Sequence, residues 1–136
     1  MPVQLNKLVL IRTYLCIAVI VIALLVLCGW QFNIFILKSI LSGYISMNPL
    51  TAINFILIAS GILLNKKESS SPCITQWIIA FLVTGLMLLK FADLLFLTEF
   101  KPDRLFVYNS FGNNKMALPT AFNFLFLSLA FLFSSN

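Results

Sequence analysis

The sequence has no histidine, and only four of its 136 residues are acidic. Without histidine it lacks the commonest metal ligand, the usual haem ligand and the side chain most often used as a general base. Cys16, Cys28 and Cys73 share no metal-ligand spacing, and the first two lie within one apolar run, so neither a metal site nor a disulfide framework is expected. There is no glycine-rich phosphate loop, no nucleophile with a neighbouring base and no catalytic carboxylate pair. Glu99 and Asp103 share a polar stretch, but nothing beside them supports acid–base chemistry. A non-enzymatic chain without a cofactor is expected.

Charge of either sign is scarce. Charged residues make up 10% of the chain and hydrophobic ones 61%, where an ordinary soluble domain carries about a quarter charged residues. A soluble fold this apolar could not cover its surface, so an integral membrane protein with the lipid bilayer as its surroundings is expected. The net charge of +5 comes from nine basic residues scattered over loops and the flanks of apolar runs. No basic run has interleaved aromatics, which points to lipid headgroups and away from nucleic acid.

The apolar runs predict four helical spans. The first runs from about Val9 to Trp30, with Arg12 able to snorkel and Trp30 at an interfacial position. Lys7 and Arg12 before an apolar run also suit a signal peptide. The absence of an A-x-A site and the length of the uncharged stretch favour a retained helix. Over 31–46, Phe32, Phe35, Ile36 and Ile40 share one helical face, while Gln31, Asn33, Lys38 and Ser42 dilute the rest. This predicts a short segment at the membrane surface, the alternative being an extension of the first span. The second span is expected from about Pro49 to Leu64, with Asn48 as its cap, and the polar run Asn65–Pro72 as a loop. A third is expected from Ile74 to Leu97 with Trp77 as an anchor, and a fourth from about Ala117 to Phe133.

One stretch occurs twice. Met47-Asn48-Pro49-Leu50-Thr51-Ala52-Ile53-Asn54-Phe55 returns as Met116-Ala117-Leu118-Pro119-Thr120-Ala121-Phe122-Asn123-Phe124, giving the frame M-x-x-x-T-A-x-N-F. Each copy opens the second span of a two-span unit. The expected architecture is therefore all-α: a membrane four-helix bundle of two tandem hairpins, related as a parallel repeat, with a short interfacial segment after the first helix. The whole of residues 1–136 forms one membrane domain, with repeat 1 at about 9–64 and repeat 2 at about 74–134. Thr51 and Asn54 lie three apart on one helical face, as do Thr120 and Asn123. They read either as helix-packing groups or as the lining of a small polar pocket.

Lys90 and Asp93 are the charges placed well inside a span, three residues apart. They read as an intramembrane charge pair, the alternative being a proton or ligand site. The 14 phenylalanines concentrate in the second half and spread around their helix, which suits lipid contact and packing better than a cofactor box.

Several elements taken together resemble a known family. Gly29-Trp30, Leu37-Lys38-Ser39-Ile40-Leu41, Met47 and Thr51-Ala52 follow the order of a G-W…L-K-S-I-L…M-x-P-x-T-A-x-x-F pattern. That pattern belongs to the N-terminal membrane sensor region of bacterial PAS-containing sensor histidine kinases and diguanylate cyclases. Asp103-Arg104-Leu105-Phe106 is similar to a D-x-L-L-F element of that region, and Lys115 through Phe124 to its R-M-x-P-x-T-A-x-x-F element. Lys115 stands where arginine is usual, and Pro119 falls one place later in the motif than Pro49. The resemblance covers roughly residues 28–133 and implies a sensory or input role. It implies no catalysis, because the residues of the PAS, kinase and cyclase domains are absent from this sequence.

The functional expectation is a membrane-embedded input domain of a bacterial signal-transduction type, acting through helix packing in a homodimer or with a partner membrane or signalling protein. A small accessory subunit of a membrane complex and a small oligomeric transporter are the alternatives. The expected location is the inner membrane, multi-pass. With the N-terminus inside, Lys7, Arg12, Lys66 and Lys67 oppose Lys38, Lys101, Arg104 and Lys115 across the bilayer. The first-helix flank and the denser inner loop then favour cytoplasmic termini. Neither the signal nor the partner is written in the sequence.

Overall fold

The computed structural model describes residues 2–39, 46–64, 74–96 and 116–134. The polar runs at 65–73 and 97–115, with Cys73, the Asp103–Phe106 element and Lys115, lie outside the described residues, as does the stretch 40–45. The described chain is all-helical and contains no strand: α1 (Pro2–Gln31), α2 (Phe35–Lys38), α3 (Pro49–Leu64), α4 (Ile74–Phe96) and α5 (Leu118–Ser134).

Both copies of the repeated motif start a helix at the same place. Pro49 and Leu118 occupy equivalent positions and are the first residues of α3 and α5. The first backbone bonds are likewise equivalent, Ala52 N–H to Asn48 O and Ala121 N–H to Ala117 O, both 3.2 Å. At the first copy the Asn48 side chain accepts from the Leu50 N–H at 2.9 Å, satisfying one of the donors a helix start leaves open. Proline in the first turn loses no hydrogen bond, which suits Pro49 and Pro119.

The helices pack in an open sequence. α1 lies against α3, α3 against α4, and α4 against α5, with a smaller contact between α3 and α5. Two hydrophobic clusters result. Ala23, Val26 and Trp30 of α1 close on Ala52 of α3. Leu50 and Ile58 of α3 meet Ile79, Val83 and Met87 of α4, together with Met116, Ala121 and Phe124. The two motif phenylalanines touch each other, Phe55 and Phe124 meeting edge to face with centroids 5.0 Å apart.

α1 extends seven residues before the expected start at Val9, because Gln4, Asn6 and Lys7 are compatible with a helix whose last turns are held elsewhere. α1 and α4 are long and apolar enough to cross a membrane, over Lys7–Gln31 and Ile74–Asp93. Much of α1 is bare: Leu8, Leu10, Ile11, Tyr14, Leu15 and Ile22 are each more than half exposed.

Three glycines rank the tightness of the packing. A Cβ at Gly29 would sit 2.6 Å from Leu37 Cβ and 2.9 Å from that residue's carbonyl carbon, so α2 can approach α1 only over a glycine. At Gly61 a Cβ would meet the Phe131 ring at 3.0 Å, and at Gly85 it would meet nothing within 4 Å. We therefore predict a graded series in detergent thermal unfolding. Gly29→Ala should lose about 1–3 kcal/mol through overpacking, Gly61→Ala should lose less because a ring edge can shift, and Gly85→Ala should be neutral or gain up to about 1 kcal/mol in helix propensity. Equal effects at Gly29 and Gly85 would contradict the close approach of α2.

Candidate functional site

The densest polar arrangement lies where α1 ends and the chain turns back towards α3. Asn33 adopts φ 55°, a left-handed conformation that asparagine tolerates better than most residues. The Ile34 N–H reaches back to Gly29 O at 2.9 Å, the long closing bond of a Schellman helix end. One turn of helix follows, and it presents its faces in an unusual sense. Phe32, Ile34, Phe35 and Ile36 are exposed, while Lys38 is buried at 8% exposure.

Among the described residues the Lys38 ammonium has two partners, an amide oxygen and an aromatic ring. Nζ donates to Asn33 Oδ1 at 2.6 Å and stands 4.5 Å from the centroid of the Trp30 ring. Among the described residues no carboxylate pairs with it. A carbonyl dipole and an aromatic face together offset the burial of this charge, the cation–π part being worth about 0.5–2 kcal/mol. The same Trp30 donates from Nε1 to Met47 O at 2.8 Å, and the Met47 N–H donates to Lys38 O at 3.0 Å. Trp30 and Lys38 therefore tie the end of α1, the one-turn α2 and the first copy of the motif into a single unit. The sequence pattern marked Trp30 as an interfacial anchor and Lys38 as a dilution of an apolar face. The sequence cue to their meeting is the spacing Gly29-Trp30…Leu37-Lys38, in which the glycine admits the second dipeptide.

The motif side chains are not placed alike. Thr51 is buried and Asn54 is 0% exposed, its Nδ2 donating to Leu50 O at 2.9 Å and its Oδ1 without a partner among the described residues. Thr120 is half-buried and Asn123 is exposed. Ala52 and Ala121 are both fully buried, so the small residue of the motif serves close packing in both copies. The copies meet through Phe55 with Phe124, and Leu50 shares a hydrophobic cluster with Met116, Ala121 and Phe124.

Lys90 and Asp93 stand 3.7 Å apart on α4, with side chains 10% and 19% exposed. A further polar link joins α4 to α5: Thr84 Oγ1 donates to Ser128 Oγ at 2.9 Å, and Ser128 Oγ donates to Leu125 O at 2.9 Å. Neither hydroxyl stood out in the sequence, since isolated Ser and Thr in apolar runs carry no periodic signal. Trp77 stacks obliquely on Phe81 with centroids 6.0 Å apart. Among the described residues no group of His, Cys, Asp and Glu could hold a metal ion.

No protein-family model, curated protein or solved structure matches this chain.

The Trp30 unit generates a second prediction. Trp30→Phe keeps an aromatic ring under Lys38 but removes the donor to Met47 O. It should cost about 1–2 kcal/mol in detergent unfolding, and Lys38→Met in the Trp30→Phe background should cost less than in the parent. Additive losses would mean that the two side chains act independently.

Proposed function

We propose that the chain is an integral membrane protein whose four long helices cross the bilayer as two like hairpins, α1 with α3 and α4 with α5, and that it works as a non-catalytic input domain of a signalling system. The observation that carries the membrane part is the bare apolar surface of α1, with Leu8, Leu10, Ile11, Tyr14, Leu15 and Ile22 all more than half exposed on one helix. Such a surface is stable in lipid and a liability in water. At 16 and 17 residues, α3 and α5 are about 24–26 Å long, shorter than a hydrocarbon core of about 30 Å, and would cross it with their flanking residues or a locally thinned bilayer. Exposed Phe32, Phe35 and Ile36 beside Trp30 suit the interfacial zone at the outer end of α1.

Support for the input role is the way the parts are linked. The Trp30–Lys38 unit grips the start of α3, and α3 touches α5 through Phe55 and Phe124. A displacement at the outer end of α1 is thereby transmitted to the second copy of the motif and to α5. The family resemblance of Gly29-Trp30, Leu37-Lys38 and the M-x-x-x-T-A frame points the same way. The tight Lys90–Asp93 pair reads as structural, since each charge already has the other.

Two measurements test this. Reporter fusions at the two ends should both report the cytoplasm, and an external report from a fusion after Asn136 would remove the route to a cytoplasmic partner. Purification in mild detergent should recover a signalling protein in stoichiometric amount. A stoichiometric non-signalling complex, or proteoliposome flux abolished by Asp93→Asn, would replace the input reading with that of an accessory subunit or a transporter.

A further inference from the structure

The repeat supplies its own template for what is missing at one side of the protein. α3 is buried on two flanks. One, Ala52 and Ile56, faces α1; its equivalents on α5 are Ala121 and Leu125, which lie in the cluster shared with α4 and are likewise buried or half-buried. The other flank of α3 is the stripe Leu50, Asn54, Ile58 and Gly61, all buried; Leu50 and Ile58 pack with Ile79, Val83 and Met87 of α4, and Gly61 lies against Phe131 of α5 and Ile79 of α4. Its equivalents on α5 are Pro119, Asn123, Leu127 and Ala130, and all four are exposed. Among the described helices α1 makes no contact with α5, and α3 and α4, which do, leave this stripe exposed.

We propose that this stripe on α5 is an interface with a second copy of the chain, which seats its α1 there as α4 is seated on α3. α1 holds in the first hairpin the place that α4 holds in the second, and its outward face is bare at Leu10, Tyr14, Val21 and Leu25. Each copy has one bare α5 stripe and one bare α1, so two copies satisfy both at once and close as a twofold dimer, leaving no free end. The inference rests on the membrane reading, because it is in lipid that Asn123, with no side-chain hydrogen bond among the described residues, gains most from a neighbouring helix. The stripe has the make-up of a membrane helix interface: one amide, one alanine and a leucine at helical spacing.

The test exploits the distance between α1 and α5 within one chain. In a background with Cys16→Ala, Cys28→Ser and Cys73→Ser, the pair Tyr14→Cys and Leu127→Cys, equivalent to Val83 and Ile58 of the α3–α4 contact, can form a disulfide only between chains. Oxidation in membranes should yield a covalent dimer with both cysteines and none with either alone. In detergent, Asn123→Leu should weaken the dimer on the order of five-fold, read by light scattering, and Asn123→Gln should largely restore it. Absence of the cross-link in protein retained by alkali-washed membranes overturns the dimer, assigns the stripe to lipid and leaves the membrane reading standing. Release of the chain by the alkaline wash overturns both.

Discussion

The hydrogen bond from the Trp30 indole to the carbonyl of Met47 is the contact on which the first half of the protein depends. It joins the last turn of one helix to the residue that opens the next motif, across a gap of 17 positions in the sequence. Everything around it follows from holding that ring in place. Gly29 must be small so that Leu37 can come close, Asn33 must adopt a left-handed turn so that the chain reverses, and the face of the ring is left to receive Lys38. A cation buried without a carboxylate would be costly in most settings. Here the amide oxygen of Asn33 and the indole face supply its surroundings, and the charge becomes part of the clamp.

The duplicated motif shows how one sequence element acquires two settings. The helix start, the fully buried alanine and the flank that packs on the hairpin partner are preserved from α3 to α5. The asparagine is not: Asn54 is enclosed and Asn123 lies open. The difference arises from position in the chain and not from the motif. Among the described helices α3 stands between α1 and α4 and α5 has one close neighbour, α4, so the same stripe is interior in the first copy and exposed in the second. Identical residue types at identical register thus carry a packing constraint in one copy and a surface property in the other.

The helices were largely legible in the residues, because long apolar runs bounded by Asn, Pro and polar stretches leave little choice. Pro49–Leu64 coincides with its expected limits, and Ile74 and Leu118 fall within a residue of theirs. The recurring motif was legible too, and its two copies mark where α3 and α5 begin. Two things were not. Periodicity showed that Phe32, Phe35 and Ile36 share a face, but it does not say which face turns inward, and Lys38 takes the inner place because Trp30 and Asn33 are there to receive it. The Thr84–Ser128 link was invisible because each hydroxyl acquires meaning only through the other, 44 residues away. Sequence pattern reports what a segment can do by itself, and both of these features belong to pairs.

The separation of the two hydrophobic clusters has a consequence for how the protein is made. The cluster of Ala23, Val26, Trp30 and Ala52 draws on α1 and α3 alone, and the Trp30 clamp is complete once Met47 has been added. A ribosome that has delivered the first 64 residues has therefore supplied the partners of this cluster, while Leu50 and Ile58 still await α4. Synthesis from the N-terminus favours such an order, each unit settling before the next emerges. The exposed flank of α3 at that stage is a receptor for the helix that comes next, and α4 and α5 are assembled onto a surface already in place.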